Sequence, residues 1–302
     1  MGWLAEWAAR AYAQPYTMFG TKPFEFADAR TALRSTQPRI SRLIQELERE
    51  GFLFKTRQAI DRRKRLYHLV TPEQAVHALG LLTMRDGGID SRLRAARGSA
   101  PYALTGSAAA FKYHRYSHSA ITEIRVLKRD LGFWVAFLRG PGTQLSIDGY
   151  ATEGGRTRIN LLANLTEEAE ARAVEVDGIS IESREDLLGS LLRGGRDANI
   201  LDAVGLMLTS VGELDWDRLA RSDVRQEVGF LMAAVNLSAE KQVFEEAVLD
   251  RLRGENGLWK QIGDGSRQDE LRSELASLAN QWQLELRMSP RTIEKAVEDL
   301  VK

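Results

Sequence analysis

Ser35-Thr36-Gln37-Pro38-Arg39-Ile40-Ser41-Arg42-Leu43-Ile44-Gln45-Glu46-Leu47-Glu48-Arg49-Glu50-Gly51-Phe52-Leu53 is the stretch whose reading decides the fold. Ser35 or Thr36 can cap a helix N-terminus, and Pro38 fits its first turn. Ile40, Leu43, Ile44 and Leu47 recur at spacings of three and four, which makes one apolar stripe. Gly51 is placed to end the helix in a left-handed turn. The opposite face begins with Gln37, Arg39, Ser41, Arg42 and Gln45. No core needs these side chains, and all of them can contact phosphates or base edges.

Working outward, the period changes after Gly51. Phe52–Gln58 and Leu66–Val70 read as two strands rich in aromatic and branched residues. The tip between them ends in Arg62-Arg63-Lys64-Arg65, four adjacent cations that repel one another and gain nothing for a fold. Lys55 and Arg57 lie on the approaching strand. Upstream, Trp3, Leu4, Trp7, Ala8, Ala11 and Tyr12 have helical spacing, and Gln14-Pro15 is expected to stop that helix. A second short helix is expected from Glu25 to Leu33, with Phe26, Ala29, Ala32 and Leu33 inward. Thr71-Pro72-Glu73 reads as a further helix start, continued by Ala75–Leu82.

This order of elements resembles the winged helix-turn-helix of bacterial transcriptional regulators over about residues 3–80. The resemblance implies that Thr36, Gln37, Arg39, Arg42 and Gln45 read DNA in the major groove. It implies that Lys55, Arg57, Arg62, Arg63, Lys64 and Arg65 hold phosphates. Six such cations would make log K fall against log salt with a slope of roughly −5. The competing reading is a winged helix used for protein contacts, with a solvated hairpin.

Composition bounds the rest. The chain has 302 residues, 43% apolar and 28% charged. That is room for about two domains and ample core. No cysteine is present, which excludes disulfides, thiolate zinc sites and a cysteine nucleophile. The N-terminal apolar pattern is broken by Glu6 and Arg10, unlike a signal-peptide core. No run approaches the roughly 18–20 apolar residues of a membrane span. A cytoplasmic protein without membrane contact is expected. The formal net charge of zero hides a split. Residues 1–100 hold 17 Lys+Arg against 10 Asp+Glu, and residues 101–302 hold 25 against 32. The basic part is suited to an anionic partner.

The glycine- and charge-rich stretch from Arg85 to Pro101 reads as an exposed connection. The expected division is residues 1–84 winged helix-turn-helix, 85–100 linker, 101–250 a larger α+β domain and 251–302 a helical extension. Strands are expected at Tyr102–Thr105, Ile121–Leu127, Phe133–Leu138, Arg158–Leu162 and Ala173–Ile181. Helices are expected near Arg184–Leu192, Ala198–Leu208, Trp216–Arg221, Val224–Val235, Ala239–Arg253, Arg267–Leu286 and from Ser289-Pro290 to Leu300. Strands first and helices after give an α+β class. The C-terminal helices either fold back on the core or serve a dimer or partner contact.

Thr105-Gly106-Ser107 resembles the Gly-Ser start of nucleotidyltransferases. Those enzymes pair two acids about ten residues on to hold magnesium, and here Phe111–His118 contains none. A tight turn into a packed helix is the favoured reading. His114 and His118, four apart, lack an adjacent glutamate and are expected to be solvated or locally hydrogen-bonded. Lys112, His114, Arg115 and Arg125 are candidates for a small basic patch. No nucleophile elbow, phosphate loop or dinucleotide fingerprint occurs. The expectation is a protein without catalytic residues, cofactor or metal.

The segment Tyr102–Ala109, then Val176–Leu188, Asp202–Leu208, Leu214–Leu219 and Val228–Val235, behind an N-terminal winged helix, is similar to the AbiEi family of abortive-infection antitoxins. The likeness covers about residues 3–245. It implies a type IV toxin–antitoxin protein that represses its own operon by binding promoter DNA and counteracts a cognate nucleotidyltransferase-like toxin. A homodimer on DNA would suit a helix-turn-helix regulator. Two other readings stay open: a winged-helix regulator with a ligand-sensing or assembly domain, and a divergent nucleotidyltransferase.

Overall fold

A computed structural model describes residues 6–57, 61, 63–81, 88–116, 120–140, 142–147, 150–151, 155–194, 196–253, 260–262 and 273–301. In chain order it begins α1 (Glu6–Phe19), α2 (Phe26–Leu33), α3 (Gln37–Arg49), β1 (Leu53–Arg57), β2 (Arg65–Leu69), α4 (Pro72–Gly80) and α5 (Ile89–Ala95). There follow β3 (Tyr102–Thr105), α6 (Gly106–His114), β4 (Ile121–Val126), α7 (Leu131–Leu138), β5 (Thr143–Ile147), β6 (Tyr150–Ala151), β7 (Thr157–Leu162) and α8 (Glu167–Arg172). The remainder is β8 (Val174–Val176), β9 (Ile179–Ile181), α9 (Arg184–Gly194), α10 (Asp197–Ser210), α11 (Trp216–Ala220), α12 (Arg225–Ser238), α13 (Glu246–Leu252), β10 (Lys260–Ile262), α14 (Ser273–Gln281), β11 (Leu284–Leu286) and α15 (Pro290–Leu300). The class is α+β, as the sequence order implies.

Two compact units are present. The first comprises Met1–Ala103, Glu123–Ala171 and Asp177–Ser180; the second comprises Leu104–Thr122, Arg172–Val176 and Ile181–Lys302. This differs from the division expected from composition. The first three helices and the hairpin share their unit with α4, α5, α7 and the strands β5–β7. Within it, Gln74 on α4 donates through Nε2 to the Arg129 carbonyl at 2.7 Å. The expected linker contains α5, whose Leu93 is fully buried and whose Arg94 donates to the Asp177 carbonyl at 2.7 Å. Residues 82–87 lie outside the described ones. The C-terminal segment belongs to the second unit, where α15 packs on α10 and α12. Ile293, Ala296 and Val297 are buried there.

Helix α1 runs through Pro15 rather than stopping before it. A proline inside a helix costs about 3 kcal/mol, and tertiary packing offsets that cost here. Pro15 is buried. Tyr12 stacks on Tyr16, meets Phe52 edge-on and donates its hydroxyl to the Val70 carbonyl at 2.6 Å. Burial, with Tyr16 and Glu73 nearby, holds the Tyr12 phenol un-ionised well above its ordinary range. The side chains of Trp3, Leu4, Trp7, Ala8 and Ala11 lie outside those described.

Residues 131–138, expected to be partly a strand, form helix α7 instead. Its sequence, Leu-Gly-Phe-Trp-Val-Ala-Phe-Leu, is apolar on every face, and seven of its eight residues are buried. An apolar run this short has no period that separates a buried strand from a buried helix. The strand expected over Ala173–Ile181 breaks at Asp177-Gly178, both at positive φ (53° and 76°), the signature of a tight hairpin turn between β8 and β9. The helix expected over Ala239–Arg253 shortens to α13. The Asn236 side chain accepts from the Val243 and Phe244 amides at 2.8 Å, which draws the intervening chain into a loop. The helix expected over Arg267–Leu286 is α14 followed by Gln283 at φ 55° and β11, which pairs in parallel with β10.

The strands β6-β5-β7-β4 lie in that order, β5 parallel to β7 in register Leu145↔Ile159. β3, β9 and β8 follow one another likewise, with β3 parallel to β9 at Leu104↔Ile181.

Candidate nucleic-acid interface

Helices α1, α2 and α3 are followed by the antiparallel hairpin β1–β2, in register Leu53↔Leu69 through Arg57↔Arg65. The chain enters α3 by a three-residue turn, Arg34-Ser35-Thr36, the length usual between paired helices of this kind. Thr36 occupies the N-cap position, and Pro38 sits in the first turn. Ile40, Leu43, Ile44 and Leu47 are all buried, as the spacing demands. The exit is a Schellman motif. Phe52 N donates to Leu47 O at 2.8 Å and Gly51 N to Glu48 O at 3.2 Å, with Gly51 at φ 81°.

Since the apolar stripe faces in, the polar one faces out. Thr36, Gln37, Arg39, Arg42 and Gln45 are exposed together along the first two turns of α3. At the hairpin, Arg57, Arg63, Lys64 and Arg65 are exposed, and Arg57 and Arg65 stand directly opposite each other in register. Asp61 shapes the tip, accepting from the Arg63 amide at 3.0 Å through Oδ1 and from Lys64 N at 3.0 Å through its carbonyl. Lys64 lies 3.8 Å from Glu25. Arg62 lies outside the described residues.

Lys55 does not belong on this surface. Its side chain is 10% exposed and is ion-paired with Glu48 of α3, whose own side chain is 18% exposed. Strand alternation puts Lys55 and Arg57, two apart, on the same face and does not separate them; the difference comes from Glu48 of α3, which closes on Lys55, whereas Arg57 ends the strand exposed. The Lys55 ammonium lies 6.0 Å from the centre of the Tyr67 ring, its cross-strand partner. Glu48 was not singled out by the sequence. A signal existed in the seven-residue separation that lets the last turn of α3 meet the first strand after it.

Arg34 adds an exposed cation beside the start of α3 that no period in the sequence marks. It ends α2 at φ 44°, a left-handed conformation that costs a non-glycine residue about 1 kcal/mol. With Gln14, Ser35, Arg39, Ile40 and Leu43 it lines a small hollow beside the start of α3.

His68, on β2 of the same hairpin, has a strongly shifted pKa. Its ring stacks on Phe54 with centroids 4.7 Å apart and shares a 2.8 Å hydrogen bond with Thr56 Oγ1. Burial, then the Lys128 ammonium, pushes its pKa down to about 4.

The second unit holds several buried polar groups. Of the two expected states, solvated or locally hydrogen-bonded, His114 takes the second; its side chain is 0% exposed, so it lies in no surface basic patch. Its Nδ1 accepts from the Tyr116 amide at 2.9 Å, which leaves Nε2 to face Asp202 Oδ1 at 3.3 Å. His118 lies outside the described residues. Gly106 takes φ 63° as β3 turns into α6, whose Ala109 and Ala110 are buried. Thr105 Oγ1 and Ser190 Oγ both donate to Glu182 Oε2. Asp186 is clamped between Arg172 and Arg218. Burial works against its charge, but the two guanidiniums outweigh burial and hold its carboxyl below the usual range. Among the described residues, no group of three His, Asp or Glu side chains could hold a metal ion. No described helix is long and apolar enough to cross a membrane.

Comparison with protein-family models, curated proteins and solved structures gives no match to this chain.

Proposed function

We propose that this chain binds duplex DNA through the exposed face of α3 and the tip of the β1–β2 hairpin, and acts there as a transcriptional repressor. The observation that carries the reading is the segregation on α3. Four apolar residues face inward, while Thr36, Gln37, Arg39, Arg42 and Gln45 are presented outward in two turns, on the same unit as a cation-bearing hairpin. Base edges are read by side chains of this kind, and phosphates are held by guanidinium and ammonium groups. The antitoxin role, in which the protein represses its own operon and counteracts a nucleotidyltransferase-like toxin, rests on the resemblance in segment order.

The test is binding of the full chain to the duplex upstream of its own gene, titrated with salt. With Lys55 withdrawn, Arg39, Arg42, Arg57, Arg63, Lys64 and Arg65 are the six candidate cations among the described residues, and a slope of roughly −5 is expected from them. The double variant Arg39→Ala, Arg42→Ala abolishes specific binding with circular dichroism unchanged. Equal affinity in that variant refutes the assignment. The antitoxin role is tested by co-expressing an adjacent, growth-inhibiting gene with this double variant. Rescue separates neutralisation from repression. A fragment beginning at residue 100 is unsuitable, since residues 123–171 belong to the first unit.

A further inference from the structure

Lys55 and Glu48 form an ion pair between the last turn of α3 and β1, where both side chains are largely removed from solvent. Removing two charges from water is costly, and well-packed apolar residues in their place are often no less stable. Leu53 and Phe54, buried beside Lys55 in sequence, show that the local core accepts apolar side chains. A buried pair of this kind contributes directionality. Closing the contact requires β1 to lie within reach of the last turn of α3. The same ammonium faces the Tyr67 ring across the hairpin. Tyr67 in turn exchanges both backbone hydrogen bonds with Phe24, at 2.8 and 3.0 Å, and stacks on its ring. Lys55 therefore connects α3, both hairpin strands and the segment leading into α2.

We infer that the Glu48–Lys55 pair is a positioning strut, which sets the hairpin against α3 so that the two basic surfaces engage one duplex together. The inference rests on the duplex-binding reading for its consequence, but not for its geometry. Lys55 touches no DNA in it; the residue acts through Arg57, Arg63, Lys64 and Arg65.

The experiment has two arms, both on the full chain. The first uses the absence of cysteine. Nitroxide labels are placed at Arg49→Cys on α3 and Arg63→Cys near the hairpin tip, both exposed, and their distance distribution is measured without DNA. A single narrow distribution is expected in the parent. It broadens or splits in Lys55→Met and in Glu48→Gln, and it narrows again in the charge-swapped Glu48→Lys, Lys55→Glu variant. An unchanged distribution in both single variants overturns the strut, whatever the protein binds.

The second arm is the salt titration on duplex DNA. Loss of the four hairpin cations from the bound complex, at about 0.9 each, moves the slope from roughly −5 to roughly −2 in Lys55→Met. The charge-swapped variant restores it. A change of only about 0.9 makes Lys55 a phosphate ligand, and no change makes it purely structural; either result overturns the inference. If the parent binds no duplex at low salt, the functional reading fails, and the distance arm alone judges the strut.

Discussion

Lowering the pH should loosen the first unit through His68, by an amount that can be worked out. The ring is held neutral, its pKa pushed down to about 4 by burial and then by Lys128, against an ordinary value of 6.5. The unfolded chain therefore takes up a proton as pH falls through 6.5, while the folded chain does not until about 4. The sign follows: the contribution to stability is complete above the ordinary value and is lost progressively between the two values. Each tenfold difference in proton affinity is worth about 1.4 kcal/mol, so the whole interval amounts to about 3 kcal/mol. Because the ring keeps some exposure, screening trims this. A loss of about 1–2 kcal/mol is expected between about pH 7 and about pH 5. Urea unfolding at both pH values is compared in the parent and in His68→Asn, which keeps a hydrogen-bonding group for Thr56 and cannot titrate. Other ionisable groups contribute equally to both proteins and cancel in the difference. The variant should be less stable than the parent near neutrality and should lose less on acidification. Parallel losses in the two proteins refute the reasoning.

Gly51→Ala forces a side chain onto φ 81° and places its Cβ 3.4 Å from the Ala136 Cα; a loss of about 1–2 kcal/mol in unfolding free energy is expected. Gly205→Ala puts a Cβ 3.0 Å from the His114 ring, so overpacking of about 1–3 kcal/mol should exceed the helix-propensity gain of about 1, and a thermal melt shows whether it does. Asp186→Asn leaves Arg172 and Arg218 without their shared counter-charge. The parent gains stability from this carboxylate above the ordinary range and loses it as pH falls through the depressed value. The variant should be less stable at neutral pH and lack that part of the acid transition in chemical denaturation.

The parts legible beforehand share a physical cause. Helix α3 carries a period, an N-terminal signal and a glycine exit, three local signals that agree. The hairpin follows from a change of period and a tip of adjacent cations. The same local chemistry found Ser289-Pro290, where the serine side chain accepts from the Arg291 amide at 3.3 Å. The segments misread are those where local signals were weak or overruled. Residues 131–138 have no polar side to set a period. Pro15 was overruled by Tyr12 and its ring partners, fifty residues and more from Val70 in the chain. The candidate site divided along the same line. The outward direction of Arg39 and Arg42 follows from the inward stripe, whereas the burial of Lys55 does not follow from any pattern within its strand.

The sequence alone therefore determined the α+β class, the amphipathic third helix, the basic hairpin and the polar face they present, because each depends on residues within a few positions of one another. Tertiary structure decided which cations face solvent, where the compact units divide and what the C-terminal helices do. Those depend on contacts between distant segments: Glu48 closing on Lys55, α5 burying Leu93 where a linker was expected, and α15 seated on α10 and α12. Burial is a property of what arrives from elsewhere in the chain, and a charge changes its role when an opposite charge arrives with it.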